Sequence, residues 1–544
     1  MHDAEHRIDT EEAVAAAINV AEEVHDLVVD GAPEKPRLLV ENWNPDLTVA
    51  ALRDILADVN ELYDRGIPVR LAFDQTQKGT VAQVITPSAL VLEAHRVCRP
   101  YSIKKGDEVD VGLPYSIARM YLDWQGEWQL PPFNGVASAP LLQDDGTINS
   151  AQGYDVASGM WCEDVPNLAG RVSEFPTRDE AKAALRLIRE IFKTFCFADA
   201  ETLEDTSGVL IVDTDKAPGR DESSFLVALL TAVCRPSLHL APGLLLRAPS
   251  LSGAGAGKGL LGRCICNIAF GRDPHAVTAG ATAEELEKRI AAELMGGSPV
   301  LFLDNLNNVN FKSDLLASAI TERPARVRLL GKSQMVPLNA TALVVLTGNG
   351  LSVSEDLVRR FLVVDFDPRT EDPEARRFKT DIRAEVRERR SELLAALLTI
   401  WRWGRIGSDI KPGLVLGSFE QWGRWVRDPL LALGCQDPVE RVRETKESDG
   451  RRQWVAELFN VWWTTHADQP VTANQLNDDV KDAADPQKRG RQYVASQLKG
   501  LAGTRMAGFV LTRQVANGKW SVATYALKKT DNDGDHREHR GGSR

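Results

Sequence analysis

The chain has 544 residues, 43% of them hydrophobic, with a formal net charge of −12 and a pI near 5.4. This length predicts several domains; with no apolar run of about 18 residues and an acidic start, the sequence argues against a membrane span or a secretion signal. Seven scattered cysteines without a C-x-x-C pair argue against a zinc site or disulfide framework and favour a reducing cytoplasm. The acidic average does not favour nucleic-acid binding, unless a local basic patch overrides it.

Residues 1–242 divide by composition into three parts. Residues 1–35 are acidic and predict a helix at 11–28 after a loose start. Residues 36–180 mix short apolar runs with turn residues, which predicts an α+β region, and residues 181–242 return to helical spacing. The individual elements predicted are strands at 38–40 and 69–73, helices at 49–63, 178–195 and 223–234, and a tight turn at Asp145-Gly146.

The stretch 243–268 is typical of a polyphosphate site. An apolar run at 243–246 predicts a buried strand, a loop of Ser, Leu, Gly and Ala follows at 250–257, and Lys258 precedes a predicted helix. Small residues let backbone N–H groups turn toward an anion, and the helix start and the lysine add positive charge. Two positions depart from the P-loop pattern, because Ser252 replaces the first glycine and Gly259 replaces the Mg²⁺-binding hydroxyl. The alternative is a Gly/Ala-rich surface loop; the predicted nucleotide-binding residues are Ser252, Gly253, Gly255, Gly257, Lys258 and Gly259.

A second buried strand carries an acidic residue at its end. Residues 299–305 read PVLFLDN, which places Asp304 where a P-loop ATPase organises Mg²⁺, directly or through water. Alone, Asp304 could equally be a capping residue. Asn305 stands where many such enzymes put the glutamate that polarises water; it can orient water but cannot accept its proton. Glu284 and Glu285 on the preceding predicted helix are possible substitutes, or simply a solvated face.

A third apolar strand, at 342–346, leads into Asn349. A polar residue on the strand between those of the loop and of Asp304 can contact the γ-phosphate or the attacking water, and the alternative is an ordinary turn residue. Arg359 and Arg360 follow after ten residues. Arginine there can reach the γ-phosphate bound by a neighbouring subunit. The nucleotide-binding core is therefore predicted at 243–370.

A basic hairpin is predicted at 323–339, where the sequence alternates, turns at 331–332 and alternates again. Residues 323–354 hold four basic and no acidic side chains. Such a hairpin can contact the phosphates of a nucleic acid, and the alternative is a hairpin that merely packs on its neighbours. The predicted DNA-binding residues are Arg326, Arg328 and Lys332.

The remainder is predicted to be mostly helical. Residues 371–450 form a charged and then Trp-rich helical region, with one helix or a pair of helices at 372–403 and a helix at 418–433. Residues 451–530 read as three helices, at 454–465, 472–482 and 489–501, followed by a hairpin around a turn at 517–518, which is the pattern of a winged helix. Basic residues around its third helix and wing favour duplex DNA over protein docking. The tail at 531–544 is predicted to be disordered.

In this order and spacing, LFLDN, RVRLLGKS, VVLTGNG and DLVRRFLVVDF resemble superfamily 3 AAA+ helicases, more narrowly the poxvirus/phage-type replication helicases of prophages and integrative mobile elements. The resemblance covers about residues 95–445. It implies an α/β, P-loop AAA+ core in a ring, a homo-hexamer, that hydrolyses ATP with Mg²⁺ between subunits and moves on single-stranded DNA. Gly259 departs from the family pattern, which puts Mg²⁺ coordination in question and is consistent with slow hydrolysis.

Two other functions stay open on the sequence. Gly259 and Asn305 also suit a low-turnover nucleotide-binding scaffold, or a regulatory or defence ATPase. A primase-helicase is suggested by VLIVDTD at 209–215, yet later primase motifs are not evident, so Asp213 and Asp215 are predicted in a loop before a helix. A protein-remodelling ATPase is disfavoured by the basic character of the hairpin.

Overall fold

The computed structural model describes residues 35–41, 43–59, 61–206, 208–278, 280, 282–329, 334–376, 378, 380–407, 410–441, 450–515 and 522–530. The predicted helix at 11–28, Lys332 at the hairpin tip, the turn at 517–518 and the tail at 531–544 lie outside these residues. Within them the protein is a mixed α/β structure around a five-stranded parallel sheet. None of the described helices combines the length and apolar character needed to cross a membrane.

Most buried apolar residues of the region before Trp124 form a small core of their own, whereas Tyr63, Ile67, Val69 and Ala82 belong to the core of the central sheet. The elements of this region are β1 (Arg37–Leu39), α1 (Pro45–Ala57), β2 (Leu62–Asp64), β3 (Pro68–Asp74), β4 (Gly79–Val84), α2 (Pro87–Val97), β5 (Arg99–Lys104), β6 (Asp107–Asp110) and α3 (Tyr115–Asp123). The helix predicted at 49–63 is wrong at its end, because it stops at Ala57 and Tyr63 pairs with Val69 in an antiparallel ladder. Strand pairing there overrides the helical spacing of the apolar residues.

A second group of elements connects this region to the central sheet. It comprises β7 (Gly135–Ala137), β8 (Leu141–Leu142), β9 (Ile148–Asn149), β10 (Gly153–Asp155), β11 (Met160–Cys162), α4 (Arg178–Phe192), β12 (Thr202–Glu204), β13 (Leu210–Val212) and α5 (Arg220–Cys234). The predicted tight turn at Asp145-Gly146 is confirmed between β8 and β9, with Gly146 at φ +91°. Helix α5 is buried over nearly its whole length and packs against the sheet.

The core predicted at 243–370 contains the parallel sheet. Its elements are β14 (Gly243–Ala248), α6 (Lys258–Phe270), β15 (Ala276–Val277), α7 (Ala283–Gly296), β16 (Val300–Leu303), β17 (Asn310–Phe311), α8 (Asp314–Thr321), β18 (Ala325–Arg328), β19 (Met335–Leu338), β20 (Leu343–Asn349), β21 (Ser352–Val353), α9 (Glu355–Val358) and β22 (Phe361–Asp365).

The strands of the sheet lie in the order β15-β16-β20-β14-β22. Counting only these five along the chain, the order across the sheet is 5-1-4-3-2. The central strands β14, β16 and β20 are buried on both faces, which explains their unbroken apolar sequences. Because all five run parallel, their carboxyl ends meet at one edge, where the loops after β14, β16 and β20 come together.

Two helices follow the sheet, α10 (Ile382–Glu388) and α11 (Arg390–Ile406), so the charged stretch predicted as one helix or a pair is a pair. A Trp-rich helical stretch comes next, made of α12 (Glu420–Trp422), a π-helical turn (Gly423–Arg427) and α13 (Asp428–Ala432). Helix α11 packs along α4, and many of its apolar residues are buried in the main core.

The last described region has its own hydrophobic core. Its elements are α14 (Gly450–His466), β23 (Val471–Thr472), α15 (Asp478–Ala484), α16 (Arg491–Leu501), β24 (Arg505–Met506), β25 (Phe509–Val515) and β26 (Ala523–Lys529). The helix predicted from 472 is wrong at its start, because Thr472 pairs with Thr524 and Asn477 caps a helix that begins at Asp478. The region therefore holds three helices and a four-stranded antiparallel sheet in the order β23-β26-β25-β24.

Candidate functional site

The connection between β14 and α6, here called the glycine loop (residues 249–257), is packed so closely that its glycines are required. A Cβ on Gly253 would lie 2.3 Å from the Pro249 carbonyl oxygen and 2.7 Å from Asn349 Oδ1. Gly255 and Gly257 have φ values of +72° and +92°, in the left-handed region that favours glycine. The loop thus brings bare backbone to the start of α6, as the sequence predicts for an anion site.

Lys258 is the first residue of α6 and is largely buried, with 9% of its surface exposed. Its ammonium donates a hydrogen bond of 2.7 Å to the carbonyl oxygen of Gly253. Burial lowers the pKa of this ammonium, while the thiol of Cys196 and the carboxylate of Asp304 act in the opposite direction. The lysine therefore lies folded against the glycine loop, at the positive end of the α6 dipole.

Asp304 follows β16 directly and faces the start of α6. Its Oδ1 accepts hydrogen bonds from the hydroxyl of Thr347, at 2.5 Å, and from the N–H of Asn305, at 3.1 Å. Its Oδ2 lies 3.3 Å from Nη2 of Arg263 on α6. Both carboxylate oxygens are thus engaged by side chains or backbone of the chain itself.

These residues do not fit a ready-made Mg²⁺ site. Mg²⁺ prefers oxygen ligands in octahedral geometry, but Gly259 supplies no hydroxyl and the Arg263 guanidinium lies against the one carboxylate. Among the described residues no three His, Cys, Asp or Glu side chains converge as metal ligands. The Mg²⁺ role of Asp304 stays a prediction, and the arrangement does not favour it.

Asn349 ends β20, and β20 lies between β14 and β16, as predicted. Its Oδ1 is buried and has no hydrogen-bond partner in the described structure, and it is the side-chain atom directed at Gly253 of the glycine loop. The next residue, Gly350, has φ +57°, and a Cβ there would lie 2.9 Å from Cβ of Ser250. The end of β20 therefore packs against the glycine loop, and the Oδ1 acceptor of Asn349 faces that loop without a hydrogen-bond partner in the described structure.

The candidates for water activation are Asn305, Glu284 and Glu285. Asn305 is exposed and has φ +62°. Glu284 pairs with Lys288 at 2.8 Å, and Glu285 pairs with Arg289, both one turn further along α7. These carboxylates have the surroundings of a solvated helix face, the alternative that the sequence left open.

Arg359 and Arg360 come immediately before β22 and so lie at the amino edge of the sheet. Arg359 is exposed and its Nη2 lies 3.0 Å from Asp356 Oδ1, whereas the side chain of Arg360 is only 12% exposed and pairs with the same carboxylate. The length of β14 separates them from the glycine loop of their own chain by about 17 Å. Of the two, Arg359 is the one available to another molecule.

The predicted hairpin is confirmed as β18 paired antiparallel with β19. Arg326 and Arg328 are exposed on one face, opposite Pro337 and Met335, while the other face is buried. The strand alternation therefore directs both arginines to the same side, and Arg328 has an electrostatic contact with Glu284.

A cleft of about 920 Å³ opens beside the glycine loop. Its walls come from α4, the β12–β13 hairpin, the loop, and the segment leading into α10. Several apolar side chains line it: Leu187, Ile191, Phe195, Leu203, Leu260 and Ile382. Charged side chains line it as well, among them Glu190, Asp205, Arg376 and Arg389. A cleft of this volume can hold a small organic group next to the loop.

Three residues of the site were missed by sequence reasoning. Thr347 and Arg263 contact Asp304, and Asn307 Oδ1 accepts the N–H of Asn349 at 2.7 Å. Thr347 and Asn307 each lie two residues from a predicted site residue, Asn349 and Asn305 respectively. Their closeness in sequence could therefore have indicated them. Arg263 could have been found from its i,i+4 spacing to Gly259, which places both on one face of a helix.

Asp213 and Asp215 lie in the loop between β13 and α5, as predicted. Asp215 pairs with Arg186 at 2.7 Å, and the backbone carbonyl of Asp213 accepts a hydrogen bond from Arg189.

No model of a known protein family matches the sequence, and no curated protein matches it significantly.

Proposed function

We propose that this protein is a ring-forming, ATP-dependent DNA helicase or replication-initiation ATPase of a mobile element, which moves on single-stranded DNA with slow turnover. The observation that carries the proposal is the meeting of the glycine loop, Lys258, Asp304 and Asn349 at the carboxyl edge of a sheet ordered 5-1-4-3-2. That order supports a P-loop ATPase core of the AAA+ type, the class that the sequence resembles.

In this proposal ATP binds with its phosphates on the glycine loop and its base in the adjoining cleft. Lys258 leaves the Gly253 carbonyl and binds the outer phosphates, and the helix start of α6 adds positive charge. The unsatisfied Oδ1 of Asn349 orients the attacking water or reports the γ-phosphate. Mg²⁺, where it accompanies ATP, would supply charge neutralisation of the phosphates.

A homo-oligomer, a hexamer in this proposal, is supported by the position of Arg359. Because this exposed arginine lies at the edge opposite its own glycine loop, it can act only on nucleotide held by a neighbouring subunit. Arginine supplied in trans stabilises the charge that develops in phosphoryl transfer.

Single-stranded DNA is the proposed partner of the β18–β19 hairpin. Arg326 and Arg328 project from one face of it, and two arginines spaced along a strand can follow a phosphate backbone. In the last described region, the three helices and antiparallel sheet support a winged helix, with duplex DNA or a replication protein as its proposed partner.

ATP hydrolysis with and without single-stranded DNA tests the proposal. We expect turnover at the low end of the enzyme range, about 1 s⁻¹ or less, with stimulation by DNA. Replacing Arg326 and Arg328 together by Ala should weaken DNA binding about tenfold and reduce its salt dependence, because about two phosphate contacts are lost. ATP binding should be unchanged. Failure of DNA either to bind or to stimulate turnover would reject the helicase.

A second candidate, a nucleotide-binding scaffold or regulatory ATPase with little turnover, is favoured by one observation. Arg263 already neutralises Asp304, and Gly259 adds no metal ligand. Tight ATP binding without measurable hydrolysis, in the presence of DNA, would favour this candidate.

A further inference from the structure

Arg263 and Gly259 share one face of α6. Side chains of a helix lean toward its amino end, so Arg263 extends back along the position where Gly259 has no side chain. A Cβ at Gly259 would lie 3.6 Å and 3.7 Å from the two carboxylate oxygens of Asp304. Arg263 Nη2 is 3.3 Å from Oδ2 of the same carboxylate. The guanidinium and a side chain at 259 would therefore both lie against this one carboxylate.

The guanidinium is held in this position. Its Cζ lies 5.4 Å from the centroid of the Phe302 ring on β16, a distance at which a cation is attracted to an aromatic ring. The side chains of Arg263 and Asp304 are 27% and 13% exposed. In such a half-buried place the pair is only partly screened by water.

The local balance of charge then favours a nucleotide without a metal ion. Lys258 and Arg263 are positive and Asp304 is negative, so these three side chains together carry one net positive charge. A divalent cation entering next to Asp304 would meet the guanidinium at close range and be repelled by it.

We propose that Arg263 supplies the fixed positive charge that a metal ion supplies elsewhere, so that this site binds nucleotide phosphates without Mg²⁺. The inference rests on the proposed nucleotide site and defines what that site requires. Gly259 fits this arrangement, because it offers no hydroxyl to a metal ion beside Asp304.

The test compares ATP binding in excess EDTA and in excess Mg²⁺ by titration of the full-length protein. For the native protein we expect dissociation constants within about threefold of each other. Arg263→Ala should bind about tenfold more weakly in EDTA and recover part of the loss in Mg²⁺, because removal of the guanidinium frees Asp304. Arg263→Lys, which retains a positive charge, should remain closer to the native protein.

A double variant, Gly259→Ser with Arg263→Ala, provides the converse arrangement. It adds a hydroxyl beside Asp304, where a Cβ has ordinary contact distances, and should bind ATP only when Mg²⁺ is present. Arg119→Ala is the matched control, since it removes an exposed arginine 3.7 Å from Asp123 on α3. This control should match the native protein in both conditions.

The outcomes separate the two proposals. Native binding that needs Mg²⁺ by tenfold or more, or equal metal dependence in the native protein and Arg263→Ala, would overturn the inference and leave the proposed nucleotide site standing. Native protein that binds ATP in neither condition would overturn the proposed function as well. Thermal unfolding of each variant identifies loss of fold, and the metal dependence of the native protein carries the test if Arg263→Ala unfolds.

Discussion

The two edges of the central sheet differ in how their polar residues are held. At the carboxyl edge, Lys258, Asp304 and Asn349 are buried or half-buried and are fixed by contacts from neighbouring strands and the glycine loop. At the amino edge, Arg359 is exposed and contacts only Asp356, one turn away on α9, among the contacts described. The first edge is organised from within the chain, whereas the second presents a charged group outward.

This difference indicates which subunit holds the ligand that each edge contacts. A site assembled by several strands loses its geometry when one contact is removed, so its residues act on a ligand bound in the same chain. An exposed arginine that pairs only with a nearby residue can move to a different partner at little cost in free energy, because a surface ion pair contributes only about 0–1 kcal/mol. The predictions below test this division between edges.

The largest effect is expected at the amino edge. Arg359→Ala should reduce DNA-stimulated ATP turnover about 10³-fold, as for an arginine supplied in trans, while ATP binding stays at the native level. Mixing this variant with Lys258→Ala should restore part of the turnover, because one partner then supplies the arginine and the other supplies an intact glycine loop. The measurement is the hydrolysis rate of each protein alone and of the mixture.

Arg360→Ala is the matched variant for that experiment. The Arg360 side chain is largely covered and its Nε is buried without a hydrogen-bond partner in the described structure. Its removal should change the free energy of unfolding by about 1 kcal/mol. It should not produce the gain of ATP turnover on mixing that Arg359→Ala shows. If Arg360→Ala, and not Arg359→Ala, gives complementation on mixing, the assignment between the two arginines is reversed.

Lys258 gives the largest effect at the carboxyl edge. Lys258→Ala should weaken ATP binding about 10²-fold, because one charge-assisted contact worth about 3 kcal/mol is lost. Equilibrium titration with ATP measures it, with thermal unfolding to verify the fold. A variant that binds ATP as tightly as the native protein would show that the glycine loop is structural.

Much of this edge could be predicted from the sequence. Asp304 and Asn349 each follow an apolar run long enough to be a buried parallel strand, and the ends of such strands converge. The sequence predicts β20 between β14 and β16, but the places of β15 and β22 could not be predicted, because periodicity reports burial and not neighbours. Arg263 shares a helix face with Gly259, but its contact with Asp304 could not be predicted, since that contact depends on the packing of α6 against β16.

A smaller effect concerns Asp221 and the end of β22. Asp221, at the start of α5, accepts the N–H of Asp365 at 2.7 Å and pairs with Arg441 at 2.6 Å. Burial raises its pKa to about 7, although Arg441 opposes the rise. Because this value exceeds the unfolded one of about 3.9, the folded state binds more protons between these values, and stability falls as pH rises from about 4 to 7.

Asp221→Asn should remove that dependence. Between pH 5 and pH 7 the native free energy of unfolding should fall by about 2 kcal/mol more than that of the variant. Thermal unfolding across this pH range measures the difference. Parallel pH profiles of the two proteins would mean that Arg441 keeps the carboxylate charged throughout, and the carboxyl edge would then be less sensitive to pH than its burial indicates.

The smallest effect is expected for Asn349, and it has two parts of opposite sign. Its Oδ1 is a buried acceptor without a partner in the described structure, which costs about 1 kcal/mol or more. Asn349→Ala should therefore raise the free energy of unfolding by about 1 kcal/mol and lower ATP turnover about tenfold, with binding unchanged. Such a combination would indicate that the hydrogen-bond partner of Asn349 is supplied by the bound ligand. Loss of stability together with loss of binding would instead make Asn349 a structural contact of the glycine loop, and would remove the difference between the two edges.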